Sequence, residues 1–495
     1  MSQPWHHTSA VRIAVLVLLF GLLPFVEAAH QPSLSSLAAG DFWWHVRVGL
    51  GILQNHAMPH SGLYSQLAVS PWIATSWLYD LKAGLYFRWF GWVALPIFAI
   101  GCKLLLAIVT FLLARGLTGR FWPAVALSAC AQFILIGLPP LPLYASVLFF
   151  AVELILLFEA RRSGNLRLLY GLPIVFLLWA NIDVNFVIGT FVLLLYVAAW
   201  LLEPRITNSA TDDPTPHELK ALGAVTAASF FATVLTPYGW QPYGVFFARL
   251  TSAANEYFAE FHSLGFRGPQ DYLLLLLVAA AFLALGIRRS RHPFAIALLL
   301  LAAFASFRSQ HDAWLATLAA VAVLADALPS CEVDGAAAPA PAPLPPLRFL
   351  VAAGIALVLL TAAAVIHFPR SREAALARIG QAYPVAAADY MRQQHLPAPL
   401  FNALPWGGFL TVYLPEYPVA IDGRSELYGD DTNIQYAKVM NADAHFATLP
   451  ALNQAGTLLL EKNSLMGKAL PNVRGFQVAY SDNVAVVLVR EPAAP

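Results

Sequence analysis

The sequence predicts a polytopic α-helical membrane protein, with about eleven transmembrane helices, that ends in a small soluble α/β domain. Three observations lead to this fold class. Hydrophobic residues make up 59% of the 495 residues and charged residues only 12%. Mean hydropathy is +0.64, far above that of a soluble globular protein. Long apolar runs recur as far as residue 367, and from about residue 370 the composition becomes that of a soluble domain.

The apolar runs are long enough, or nearly so, to cross a hydrocarbon core of about 30 Å. The first of them, followed by "VEAAH", also resembles a signal peptide, but its length favours a retained span. Several runs are short for a full crossing, so helix pairs that do not cross completely stay open within 166–202 and 293–328. The runs lie at 9–29, 91–114, 121–138, 142–160, 166–180, 183–202, 219–236, 270–287, 293–307, 311–328 and 348–367.

The distribution of Lys and Arg predicts the topology, because short cytoplasmic loops carry an excess of both. With the N-terminus in the cytoplasm, the opposite loops, among them 30–90, 237–269 and everything after 367, are aromatic and comparatively poor in cations. The C-terminal domain is therefore expected outside. The cations that then fall inside are Arg115, Arg120, Arg161, Arg162, Arg167, Arg205, Lys220, Arg288, Arg289, Arg291 and Arg348.

The chain divides into a multi-span membrane domain (1–328, with the outer loop 30–90), a Pro/Ala-rich cytoplasmic linker (329–347), a last transmembrane helix (348–367) and an extracytoplasmic α/β domain (370–495). In this last domain "PVAAADYMRQQ" and "TNIQYAKVMNA" predict helices. "YPVAIDG", "TLLLEK", "FQVAYSD" and "VAVVLVR" predict strands.

Charge and cysteine content exclude some classes of partner and site. The formal net charge of +1 provides no basic surface for nucleic acid. The three cysteines show neither CxxC spacing nor a disulfide framework. They are Cys102, Cys130 and Cys331.

The stretch "DFWWH" after the first apolar run contains the first candidates for chemistry. Residues 41–54 are predicted to form a helix on the membrane surface, in which Asp41 and His45, four residues apart, share a face. Such a pair suits acid–base catalysis or metal binding. The alternative is an N-cap aspartate followed by aromatic side chains at the headgroups. The tryptophans assigned to the headgroups are Trp43, Trp44, Trp72, Trp77 and Trp89.

Further polar residues gather on the predicted outer side, which indicates a polar cavity there, because ionisable groups are costly within a membrane. For Glu256, Glu260 and His262 simple solvation is the favoured reading. "LWANIDVNFVIG" places three polar residues at alternate positions, and a turn or a site explains them equally well. In "RSQHDAW" Arg308 is a cation able to bind phosphate, whereas a tight turn is the favoured reading for His311 and Asp312. The outer polar residues are Asp80, Asn181, Asp183, Asn185, Glu256, Glu260, His262, Arg308, His311 and Asp312.

In the C-terminal domain, "IDGRSELYG" places Asp422, Gly423, Arg424 and Glu426 after a predicted strand. An Asp-Gly turn is one reading. The other is a ligand site, because α/β domains bind ligands where strands end.

Together, "DFWWHVRVGLGILQNHAMPHSGLYS", "PWIATSWLYD", "LWANIDVNFVIG", "LTPYG" and "WGGFLTVYLPEYPVAIDGRSELYG" resemble bacterial membrane glycosyltransferases of the GT-C superfamily, over most of the chain. The resemblance is to a branch with a C-terminal extracytoplasmic α/β domain. It implies a polyprenyl-phosphate-linked sugar as donor, a glycan, lipid or protein as acceptor, and the bacterial inner membrane as location. This chain departs from the family at Thr75 and Ser76, often His-Glu, and at Asp183, often His.

The resemblance also implies roles for individual residues. Asp41 occupies the place of the acid that activates the acceptor, and Arg308 or another outer cation would hold the donor phosphate. His45 and Asp80 would orient Asp41 or help hold a divalent metal ion, although no metal motif is evident. The remaining candidates for substrate binding are His311, Asn181, Asp183, Asn185, Asp422 and Arg424.

Two other functions stay open at this stage. A flippase or transporter of lipid-linked intermediates would also need a polar cavity among helices. A non-catalytic membrane scaffold is the third reading, supported by the departures at Thr75, Ser76 and Asp183.

Overall fold

The structure is a computed structural model. It describes residues 9–30, 40–59, 64–68, 71–207, 215–288, 292–328, 371–441, 449–473 and 475–491, with the single positions 351, 354 and 369. The described chain is largely helical up to residue 328 and ends in helices around a small sheet. The predicted fold class is confirmed. The predicted linker 329–347 and all but two residues of the predicted span 348–367 lie outside the described residues.

Thirteen helices make up the described part of the membrane domain, and every apolar run predicted there as a span is helical. Their bounds are α1 Ser9–His30, α2 Gly40–Asn55, α3 Trp77–Phe90, α4 Ala94–Thr118, α5 Phe121–Ile134, α6 Pro142–Ser163, α7 Leu172–Ala180, α8 Phe186–Thr207, α9 Pro216–Val234, α10 Gln241–Thr251, α11 Pro269–Ile287, α12 Pro293–Arg308 and α13 Ala313–Ala327.

Several of these helices are long and apolar enough to cross a membrane, judged by length and composition. Among the described residues four segments meet this criterion, and shorter apolar helices such as α5 and α12 accompany them. The described part of the chain therefore has fewer full-length spans than the eleven apolar runs. The four segments are Trp77–Thr118, Pro142–Ser163, Phe186–Pro204 and Pro269–Ile287.

The C-terminal unit folds as helices around a four-stranded sheet in the order β1-β2-β4-β3. β1 pairs with β2 in parallel, and β2–β4 and β4–β3 are antiparallel. The predicted strands "TLLLEK", "FQVAYSD" and "VAVVLVR" correspond to β2, β3 and β4. The bounds are α14 Arg372–Ile379, α15 Val385–Gln394, β1 Leu400–Asn402, α16 Leu404–Tyr413, α17 Ser425–Met440, α18 Pro450–Gln454, β2 Thr457–Glu461, α19 Leu465–Ala469, β3 Phe476–Ser481 and β4 Ala485–Arg490.

The predicted strand "YPVAIDG" is wrong, because this segment does not join the sheet. Val419 forms a single parallel bridge with Ser65 of the outer loop. Val419 N donates to Tyr64 O at 3.1 Å, and Gln66 N donates to Val419 O at 2.9 Å. The backbone of the segment thus bonds to the membrane domain and to the side chain of Asn402 in β1, which accepts from Ala420 N at 2.8 Å and donates to Ile421 O at 2.9 Å, but not to the backbone of a neighbouring strand.

Helix α16 was not predicted, and it fixes the position of α2. Its two adjacent glycines lower helix propensity, but Gly408 allows the close approach to α2, since a Cβ on Gly408 would lie 2.5 Å from Gly40 O. On its other side α2 approaches α3 as closely, since a Cβ on Gly49 would lie 1.9 Å from Asp80 O. Helix α2 is held between α3 and α16.

This packing corrects the predicted position of three tryptophans. Trp43, Trp44 and Trp72 are at most 8% exposed. Trp43 contacts Phe409 of α16, at 5.9 Å between ring centroids. Helix α2 is therefore a buried helix rather than one on the membrane surface, whereas Trp89 is 67% exposed.

Candidate active site

A cavity of about 620 Å³ lies between the helical bundle and the C-terminal unit. Helix α2, the segment 183–185, helix α10 with the chain that follows it, and the N-terminal part of α17 all contribute to its wall. Its lining is rich in acids, and Arg249 is the only Lys or Arg among the described residues that line it. The acids are Asp41, Asp183, Glu260, Asp271, Glu426 and Asp430.

Asp41 stands at the start of α2, where the helix dipole favours a negative charge. Part of its surface is open to the cavity and the rest is enclosed by protein. Burial, and then the negative charges of Glu260, Asp422 and Glu426, raise the pKa of Asp41 to about 7. A carboxylate with a pKa near neutrality is suited to accept a proton from a bound hydroxyl group.

His45 lies one turn further along α2 and lines the same cavity, as the spacing of four predicted. Its Nδ1 is paired with the Asp80 carboxylate, and its ring stacks on Trp44 at 3.5 Å between centroids. Burial and the positive charge of Arg424 lower the pKa of His45. Asp80 is fully buried behind the wall. It therefore holds the imidazole rather than touching a ligand in the cavity.

Asp422 and Arg424 are also behind the wall rather than in it. The guanidinium binds the carboxylate with Nη2 to Oδ2 at 2.6 Å and Nε to Oδ1 at 3.0 Å, and it covers the ring of Trp72 at 5.0 Å. Both side chains are 1% exposed. This placement does not support the predicted contact with substrate. The ion pair instead holds the turn that presents Gly423 to the cavity.

The three polar residues of "NIDVN" have different roles: one makes hydrogen bonds within the protein and two line the cavity. Asn181 ends α7, accepts from Trp77 Nε1 at 2.8 Å and donates to Leu235 O at 3.1 Å. It is not among the residues that line the cavity, and its predicted role in binding stays a prediction. Asp183 and Asn185 do line it, and Asn185 Nδ2 donates to Asp183 Oδ2 at 2.9 Å.

A second, mostly apolar cavity of about 290 Å³ adjoins the first. Its lining includes Phe191, Leu301 and Phe304, which are between 53% and 70% exposed on the outside of the helical bundle. Arg308, predicted to bind phosphate, lines this second cavity. The residues that line both cavities are Asn185, Arg249, Asn255, Phe261 and His311.

A chain of hydrogen bonds marks the boundary between the two cavities. Arg249 Nη2 donates to His311 Nε2 at 3.2 Å, so His311 carries its proton on Nδ1, which donates to Asp312 Oδ1 at 2.9 Å. Arg249 also covers the ring of Phe261 at 5.4 Å. The guanidinium is thereby fixed where an apolar space meets an acidic one.

Sequence reasoning missed Arg249 and Asp430, favoured simple solvation for Glu260, and left Glu426 between an Asp-Gly turn and a ligand site. Arg249 is a cation in the predicted outer segment 237–269, which is otherwise comparatively poor in cations, and that exception was the available signal. Within the described residues, no group of three or more His, Cys, Asp or Glu side chains could hold a metal ion. The divalent ion considered from the sequence stays a prediction.

Comparison with known proteins gave matches at the level of structure. No family model matches the chain and no curated protein matches it. The chain is similar to ArnT from Cupriavidus metallidurans bound to undecaprenyl phosphate, with 13% identity, a TM-score of 0.46 and coverage of 98% of each chain. It is similar to the apo state of the same protein with 15% identity, a TM-score of 0.44 and coverage of 97% of this chain and 98% of that one.

Proposed function

We propose that the protein is an integral-membrane glycosyltransferase that moves a sugar from a polyprenyl-phosphate donor to an acceptor on the outer face of the bacterial inner membrane. The observation that supports this function is the junction of an apolar and an acidic cavity at Arg249 and His311. A polyprenyl-phosphate sugar has an apolar chain, a phosphate and a polar head in that order. The two cavities and their boundary offer a place for each part.

The donor lies with its first isoprene units in the apolar cavity, where Leu301 and Phe304 continue onto the exposed surface of the bundle. Its phosphate binds Arg249 and Arg308, because guanidinium groups form charge-assisted hydrogen bonds to phosphate oxygens. His311 and Asp312 hold Arg249 in position. The sugar then points into the acidic cavity, toward Asp41.

Sugar transfer follows from this arrangement. Asp41 accepts the proton of the acceptor hydroxyl group as its oxygen attacks the anomeric carbon. The bond from that carbon to the phosphate oxygen breaks, and its electron pair leaves with the polyprenyl phosphate, whose growing charge Arg249 and Arg308 stabilise. A single displacement inverts the anomeric configuration. General-base catalysis of this kind contributes roughly 10²- to 10⁴-fold to the rate.

The experiment is the transfer of label from a panel of radiolabelled polyprenyl-phosphate sugars by purified protein in lipid nanodiscs, with and without EDTA. We expect transfer by the wild type and a loss of at least ~10²-fold in Asp41→Asn. Asp431→Asn is the control, because Asp431 is exposed and is not among the residues that line the cavity. Absence of transfer from every donor would refute the proposal, and lipid translocation without transfer would favour the flippase.

A further inference from the structure

The C-terminal unit is fastened to the membrane domain on both sides of the acidic cavity. On one side α16 packs against α2, and Ser65 Oγ donates to Ala420 O at 2.9 Å. On the other side Ser252 Oγ donates to Asp430 Oδ1 at 2.6 Å, and Ala253 N donates to Asp430 Oδ2 at 2.9 Å. The cavity wall that the C-terminal unit forms is therefore held in place.

Gly423 lies directly against Asp41. A Cβ at this position would lie 1.6 Å from Oδ1, 2.4 Å from Cγ and 2.9 Å from Oδ2 of Asp41, and these are the three nearest atoms. The carboxyl group thus occupies the space that any other residue's side chain would need. The buried Asp422–Arg424 pair fixes the turn on either side of this glycine.

The residues that the C-terminal unit contributes face only the acidic cavity. Gly423, Ser425, Glu426 and Asn433 line it, and among the described residues none from this unit lines the apolar cavity. A donor that enters through the apolar cavity would approach from the side of Arg249. The opposite side, next to Asp41, stays open for the acceptor.

We propose that the C-terminal unit supplies the acceptor side of the catalytic centre, with Gly423 seating the Asp41 carboxylate and Glu426 binding hydroxyl groups of the acceptor. The inference rests on the proposed function. Glu426 is an exposed carboxylate in the cavity wall, and carboxylates accept hydrogen bonds from neighbouring hydroxyl groups. The acceptor is a hydroxyl-rich molecule such as a glycan, and Gly423 is a positioning residue.

Glu426 is also coupled to Asp41 through its charge. Its negative charge is one of those that disfavour ionisation of Asp41, so its removal makes Asp41 titrate at lower pH. The charged and titratable groups that interact with Asp41 are Glu260, Asp422 and Glu426, together with Tyr79 and Tyr383. His45 lies one turn further along the same helix.

The seating of Asp41 is tested by thermal unfolding of the purified full chain. We expect Gly423→Ala to lower the unfolding temperature of the wild type but not that of an Asp41→Ala variant. The methyl group added at position 423 clashes with the Asp41 carboxyl group, which Asp41→Ala removes. An equal loss in both backgrounds, or no loss in either, would overturn the role of Gly423.

The role of Glu426 is tested by the kinetics of Glu426→Gln with Asp431→Asn as the matched control. We expect the KM for acceptor to rise about 10-fold, the cost of one hydrogen bond to a charged group, and the acidic limb of the kcat/KM profile to move to lower pH. Asp431→Asn should leave both the KM for acceptor and the pH profile of kcat/KM unchanged. Unchanged KM and pH profile in Glu426→Gln would overturn the assignment.

Failure of the inference and failure of the proposed function give different results. If no donor supports transfer, the proposed function fails and the acceptor assignment falls with it. The unfolding experiments still judge the contact between Gly423 and Asp41, because they need no activity. If the wild type transfers sugar and Glu426→Gln behaves as the wild type does, the inference alone is wrong.

Discussion

Replacement of Asp41 by Asn should make the protein's stability less sensitive to pH. In the folded state burial, and then the negative charges of Glu260, Asp422 and Glu426, raise the pKa of Asp41 from 3.8 to about 7. Between these values the unfolded chain has lost the proton that the folded chain keeps, so the free energy of unfolding of the wild type falls as pH rises. Below about pH 4 and above about pH 7 this contribution is constant.

The size of the effect follows from the shift. Roughly three pKa units at 1.36 kcal/mol each give ~4 kcal/mol as an upper limit. Because part of Asp41 touches the cavity, solvent screening reduces this value, and we expect a gain of about 1–3 kcal/mol for Asp41→Asn over the wild type above pH 7.

The assay is thermal unfolding of the purified protein, followed by tryptophan fluorescence from about pH 4 to about pH 9. The unfolding temperature of Asp41→Asn minus that of the wild type should rise between about pH 4 and about pH 7 and stay constant above about pH 7. The same difference for Asp431→Asn should stay flat, because that carboxylate is exposed. A difference for Asp41→Asn that does not vary with pH, or that shrinks as pH rises, would refute the reasoning.

Two further substitutions test the donor site and the packing of α2. Arg249→Ala should lower sugar transfer by ~10²-fold or more, because the leaving phosphate loses a charge-assisted partner. Arg267→Ala, at an exposed position outside both cavities, should leave transfer unchanged. Equal activities of the two variants would exclude Arg249 from the phosphate site. Gly49→Ala should lower the free energy of unfolding by about 1–3 kcal/mol, because its Cβ would lie 1.9 Å from Asp80 O. Gly101→Ala, in helix α4 with nothing within 4 Å, should raise it by about 0.5–1 kcal/mol, and the same sign of change in both would contradict the close approach of α2 and α3.

Local patterns predicted much of this molecule correctly. The long apolar runs mark helices, and the short apolar segments "TLLLEK", "FQVAYSD" and "VAVVLVR" mark three strands of the sheet. The spacing of Asp41 and His45 placed both on one face of a helix, and both line the same cavity. These predictions succeed because helical and strand periodicity depend on neighbours in sequence.

What each helix face meets was decided only by the tertiary structure. Trp43 and Trp44 are of a residue type that often lies at the lipid headgroups. In the structure, however, segments more than 300 residues away in the chain cover α2. The segment 417–423 has the pattern of a strand, but its backbone bonds to the predicted outer loop and to the side chain of Asn402 instead of pairing with a strand.

The sequence by itself determined the apolar helices of the membrane domain, most of the sheet and the acidic start of α2. The tertiary structure decided that Arg249 stands between two cavities, that Asp422 and Arg424 lie behind the wall, and that Gly423 and Glu426 complete the site around Asp41. The physical reason is that a residue's local conformation depends on nearby residues, whereas its pKa, burial and partners depend on segments that only folding brings together.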